Sequence, residues 1–135
     1  MSNKSQAGRP NIFPALKYQD APGAIEFLVK AFGFEKQVVY DGEPGKVAHA
    51  QMKIGPGVVM LGSDQKNPAN PWDAVRMGVY VYVEDIDAHF AQAKAAGAQI
   101  VRPLADTDYG SREYSVYDCE KNLWSFGTYY PEDPA

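Results

Sequence analysis

The chain makes one strand-to-helix passage twice, 65 positions apart at Asp20 and Asp85. The first passage runs Ala15-Leu16-Lys17-Tyr18-Gln19-Asp20 and continues through Ile25, Leu28, Val29 and Phe32 to Gly33. The second runs Tyr80-Val81-Tyr82-Val83-Glu84-Asp85 and continues through Ile86, Phe90 and Ala93 to Gly97. In both, an alternating apolar run predicts a half-buried strand. An aspartate then stands where it can cap a helix whose apolar residues recur at helical spacing. A glycine ends each helix, as the left-handed position beyond the last turn favours.

The offset persists to the end of each half. Met60-Leu61-Gly62 closes the first and Ser125-Phe126-Gly127 closes the second. Between helix and closing strand, the first half has strand-like runs at Glu35–Tyr40 and Lys46–Ile54, then the Gly55-Pro56-Gly57 turn. The second has Gln99–Pro103 and Arg112–Tyr117, then a turn over Asp118–Asn122. Each half therefore reads β-α-β-β-β, and the chain as a duplication rather than a solenoid of shorter units. The expected organisation is a first module over 11–62, a linker loop over 63–76 and a second module over 77–130, with loose ends at 1–10 and 131–135.

Composition narrows the function classes. Hydrophobic residues make up 45% and charged residues 22%, as in an ordinary globular chain. A net charge of −4 without a basic patch argues against a nucleic-acid or anionic-membrane partner. No apolar run approaches the ~18 residues of a membrane span, and the polar start lacks a signal peptide's apolar stretch. One cysteine, Cys119, cannot form an internal disulfide, which suits a cytoplasmic location.

Paired βαβββ modules with these marks resemble the glyoxalase/bleomycin-resistance/dioxygenase group, the vicinal oxygen chelate superfamily. The segments Tyr109-Gly110-Ser111-Arg112 and Asp118-Cys119-Glu120-Lys121-Asn122-Leu123-Trp124-Ser125-Phe126-Gly127 look most like its PhnB-like branch, although Cys119 and Lys121 stand where that branch usually has Pro and Gly. The resemblance implies an α+β fold in which the two modules form a cup-shaped mixed sheet, with helices outside and a ligand cavity inside. It also implies a homodimer. Enzymatic members hold a divalent metal through one residue from the first and last strand of each module. Those positions fall here at Phe13, Met60, Gly78 and Ser125, none of which suits zinc, nickel or iron. No metal and no cofactor are expected.

Strand alternation then assigns a lining to the implied cavity. Phe13, Lys17, Met60, Tyr80, Tyr82 and Ser125 face it, and in the third strand His49 and Gln51 do so while Ala48, Ala50, Met52 and Ile54 meet the helix. The 65-residue offset makes Tyr114 the counterpart of His49, with Arg112 on the same face. Such a mixed lining suits a small aromatic or amphipathic molecule. His49 is the one candidate general base, against the plainer reading of a hydrogen-bonded strand histidine. Arg112 could grip an anion or lie at a strand edge. Trp72 either closes over the cavity or pins the linker. His89, beside polar neighbours on its helix, reads as a solvated partner of Asp85; Cys119 reads as incidental, and Tyr109 and Tyr129 as structural.

The leading expectation is a metal-independent protein that binds a small molecule by burial and stacking. The alternative is a lyase, isomerase or dioxygenase-like enzyme using an unusual metal site or His49 as base. A partner-binding module with a vestigial cup is the third reading.

Overall fold

The computed structural model describes residues 10, 12–69, 73 and 78–130. The expected loose ends (Pro10 apart) and Trp72 lie outside these residues. The elements run β1 (Ala15–Tyr18), α1 (Ala21–Phe32), β2 (Glu35–Asp41), β3 (Val47–Ile54), β4 (Gly57–Ser63), β5 (Gly78–Tyr82), α2 (Ile86–Ala95), β6 (Gln99–Asp106), β7 (Arg112–Tyr117) and β8 (Leu123–Gly127). They build two four-stranded mixed sheets, ordered β1-β4-β3-β2 and β5-β8-β7-β6. The fold is α+β, with the βαβββ unit present twice.

Local chemistry sets the helix ends. Asp20 and Asp85 each accept a hydrogen bond from a backbone N–H three residues on, at Gly23 and Ala88, both at 3.1 Å. Pro22 sits in the first turn of α1, where its missing N–H costs nothing. Gly33 and Gly97 adopt φ of 79° and 84°, a left-handed conformation that stops the helix without a Cβ clash.

The chain divides into two compact units. One runs to Val29 and resumes at Gly33 through the linker. The other joins Lys30–Phe32, the last turn of α1, to the second half of the chain. In the first unit, Leu16, Tyr18, Leu28, Ala50, Met52, Val59 and Leu61 are buried. Ala48 is exposed and Ile54 half-buried, so only the middle of β3 keeps the expected alternation.

In the second unit, Phe32 packs on Trp124 and Phe126 with ring centroids 5.5 and 5.1 Å apart, and Tyr114 stacks on Phe126 at 5.5 Å. All four rings are fully buried. Each such side chain contributes about 1.5–3 kcal/mol relative to exposure. The indole N–H of Trp124 donates to Asp118 Oδ2 at 3.0 Å, while Asp118 Oδ1 accepts from the backbone N–H of Glu120 and Asn122, both at 2.9 Å. One aspartate thus ties the 118–122 turn to the core, and Lys121 holds the left-handed position there at φ 65°.

The repeat is not strictly periodic in β3 and β7. In the first module Tyr40 pairs with His49 and Asp41 with Val47, leaving Ala48 as an extra, bulged residue. Lys53 then pairs with Val58 across the short turn, whereas Tyr117 pairs with Leu123 across a turn one residue longer. The bulge and the longer turn cancel over the whole half, but the strand between them is displaced by one.

Candidate functional site

Each sheet has a helix-side face and an open face, and pairing register fixes which residues share the open one. In the first module Ala15, Met60 and Gln51 lie in one row across β1, β4 and β3. Lys17 pairs with Gly62 in the next row. Its Nζ lies 3.6 Å from where a Cβ on Gly62 would stand. His49 Nε2 donates to Gln51 Oε1 at 3.1 Å, Gln51 Nε2 donates to Gln37 Oε1 at 2.7 Å, and the His49 ring stacks on Tyr40 at 6.1 Å. With Nε2 donating, Nδ1 is the nitrogen through which neutral His49 could accept a proton. Phe13 precedes β1 and is partly exposed.

In the second module the corresponding row is Tyr80, Ser125, Ser115 and Arg102. The Ser115 and Ser125 hydroxyls share a hydrogen bond of 2.8 Å, and Arg102 Nε donates to Ser115 Oγ at 3.1 Å. The adjacent row is Tyr82, Gly127 and Glu113. Tyr80 Oη donates to the Tyr129 carbonyl at 2.6 Å, and Tyr109 Oη donates to Glu113 Oε1 at 2.9 Å. Burial raises the Tyr80 phenol above its ordinary value, with the charge of Glu113 adding to it. The hydrogen bond to Glu113 raises that of Tyr109.

Two expected lining residues belong elsewhere. Tyr114 is 0% exposed and faces α2, its hydroxyl 2.7 Å from His89 Nδ1. Arg112 points the same way, its guanidinium bonded to Asp87 of α2 at 3.1 Å and to Asp106 at 3.1 Å. The one-residue displacement of β7 is the cause: Ser115 stands where Gln51 does, and Glu113 where His49 does. His89 is not solvated either. It is 9% exposed, and its Nε2 lies 2.8 Å from the Phe32 carbonyl. A carbonyl only accepts, so Nε2 carries the proton and Nδ1 accepts from Tyr114. Burial holds the His89 imidazole below its ordinary value.

The residues that sequence reasoning missed are Glu113, Ser115, Arg102, Tyr109 and Tyr129. One signal for them was available, a single acidic residue inside the otherwise acid-free strand Arg112–Tyr117.

The donor set does not fit the metal that the fold's enzymes carry. Met60 lies between Ala15 and Gln51, and Ser125 between Tyr80 and Ser115. Phe13 and Gly78 offer no side-chain donor. Among the described residues no three His, Cys, Asp or Glu side chains converge to hold a metal ion. No helix among them is long and apolar enough to cross a membrane.

A profile of the Glyoxalase/Bleomycin resistance protein/Dioxygenase superfamily matches residues 14–126, and the chain belongs to that superfamily. An uncharacterized protein of Mycobacterium bovis is 34% identical over 125 residues, covering 87% of this chain and 82% of its own. Among solved structures, TioX from Micromonospora sp. ML1 is similar at 32% identity and a TM-score of 0.75, over 93% of this chain and 100% of that one. Lactoylglutathione lyase from Agrobacterium tumefaciens shares the fold at 22% identity and a TM-score of 0.66, over 89% and 94% of the two chains.

Proposed function

We propose that this chain is a metal-independent small-molecule binding protein of the superfamily, in its PhnB-like branch, holding its ligand against the open face of a sheet. The observation that carries the reading is the chemistry at the superfamily's metal positions. Phe13, Met60, Gly78 and Ser125 offer aromatic, thioether and hydroxyl surface in place of fixed anionic or imidazole donors. Beside them Tyr80, Tyr82 and Leu123 are partly exposed, and Gln51, His49 and Ser115 supply polar groups. Few directional donors among aromatic surface suit binding by burial and stacking.

A thermal-shift screen of small aromatic and cationic compounds, with and without chelator, tests this. Stabilising ligands whose effect survives chelation support the reading. Stoichiometric divalent metal, lost together with a turnover activity on chelation, overturns it and favours a lyase, isomerase or dioxygenase-like enzyme, with His49 as candidate base.

We further propose a cytoplasmic homodimer. With a single cysteine, Cys119, the chain can form no internal disulfide, which suits a reducing compartment. Light scattering of the purified chain should give twice the 14.9 kDa chain mass, and a monomer refutes the dimer.

A further inference from the structure

Glu113 lies on the open face of the second module and is 7% exposed, yet its polar contacts fall on one oxygen. Tyr109 donates to Oε1 at 2.9 Å, and Arg102 Nη2 stands 3.8 Å from the same atom with most of its side chain exposed. Oε2 accepts no hydrogen bond among the described residues. Among the described residues the buried side-chain atom left without a partner is Asp73 Oδ1, so Glu113 Oε2 keeps access to solvent and stays open to a further donor.

The surroundings are aromatic. Tyr80 reaches across to the Tyr129 carbonyl, and Tyr109 and Tyr129 meet edge to face at 6.1 Å. Tyr82 and Tyr130 do the same at 5.2 Å. All five tyrosines are partly to well exposed, with Tyr109 at 61%. The space for the carboxylate depends on Gly127. A Cβ there would stand 2.6 Å from Glu113 Cγ and 2.8 Å from Tyr80 Oη, too close for any side chain. The first module has no such arrangement, because His49 holds the matching place.

We infer that Glu113 and its tyrosines form a subsite for the protonated amine of an organic cation. The ammonium hydrogen-bonds Oε2, and the attached carbon framework lies against the faces of Tyr80 and Tyr109. Arg102 is the resident counter-charge with which the ligand's cation competes. This rests on the small-molecule reading above and names its ligand class.

The test is an NMR titration of the full chain with benzylamine, charged at neutral pH, and with benzyl alcohol, its neutral analogue. Benzylamine should bind at least about tenfold more tightly, the size of one charge-assisted hydrogen bond. Glu113→Gln should remove that advantage and leave benzyl alcohol binding unchanged. Arg102→Gln should strengthen benzylamine binding several-fold, a gain that a purely structural Glu113 would not produce. Tyr109→Phe, which keeps the ring, should retain most of the preference. Equal binding of the two compounds, or an unchanged preference in Glu113→Gln, overturns the inference. So does failure of both to bind. In each of those cases the compound screen still decides the small-molecule reading separately.

Discussion

Replacing Tyr114 by Phe removes one oxygen from the buried core and leaves the ring where it is, stacked on Phe126 and edge-on to Phe90 at 5.0 Å. His89 Nδ1 then loses its donor inside a site that water does not reach freely. An unsatisfied buried acceptor costs about 1–3 kcal/mol; with the hydroxyl's own burial removed as well, the net loss should be about 1–2 kcal/mol. Urea unfolding at pH 8, followed by tryptophan fluorescence, reads this as a lower midpoint at unchanged slope. The same network predicts a pH dependence. Burial lowers the folded-state pKa of His89, so the unfolded chain takes up the proton first, near the ordinary histidine value of about 6.5. The stability linked to neutral His89 is therefore complete above about pH 6.5 and is lost as pH falls below it. His89→Phe should be less stable at pH 8 but lose less on going to pH 5.5. A Tyr114→Phe loss below about 0.3 kcal/mol, or wild-type stability that is flat from pH 7.5 to 5.5, would refute the assignment of donors and acceptors.

Three further substitutions probe the second module by chemical denaturation. Asp118→Ala removes the acceptor for the Trp124 indole and for the turn amides, and should cost about 3 kcal/mol. Lys121→Gly relieves a left-handed backbone and should stabilise by up to about 1 kcal/mol; a loss would show that the lysine side chain matters more than its backbone angle. Gly127→Ala should destabilise by about 1–3 kcal/mol, because both obstructing groups lie under 3 Å from the new methyl. It should also weaken benzylamine binding if Glu113 is what gives way.

The elements were legible because their causes are local: capping aspartates, helical spacing, stop glycines and alternating strands. The correspondence of Met60 with Ser125 holds for a related reason, each pairing with the matching residue of its first strand, Ala15 and Tyr80. Met60 and Ser125 lie beyond the point where the two modules' irregularities cancel, so the 65-residue offset holds for them. Inside β7 it does not. Side chains alternate with a period of two, so the bulge at Ala48 moves the counterpart of His49 from Tyr114 to Glu113 and exchanges the faces. Nothing in the composition around Ala48 announces a bulge, since alanine sits in a strand interior as well as outside it. His89 was obscured differently. Its neighbours Asp87 and Gln92 are polar, and a histidine whose two nitrogens are both satisfied in the core has the same letter as one in water.

The last turn of α1 sets where this polypeptide can be divided. Lys30–Phe32 belong with the second unit. There Phe32 supplies a ring to Trp124 and Phe126 and a carbonyl to His89, while Gln92 donates to the Lys30 carbonyl at 3.3 Å. A fragment begun at residue 77 would carry the whole second βαβββ sequence and still lack one wall of its own interior. Split-protein reporters and module swaps built on this scaffold should therefore not be cut at the linker. The second fragment would then be without the helical turn that its own core packs against, which makes recovery of that turn the condition for its folding.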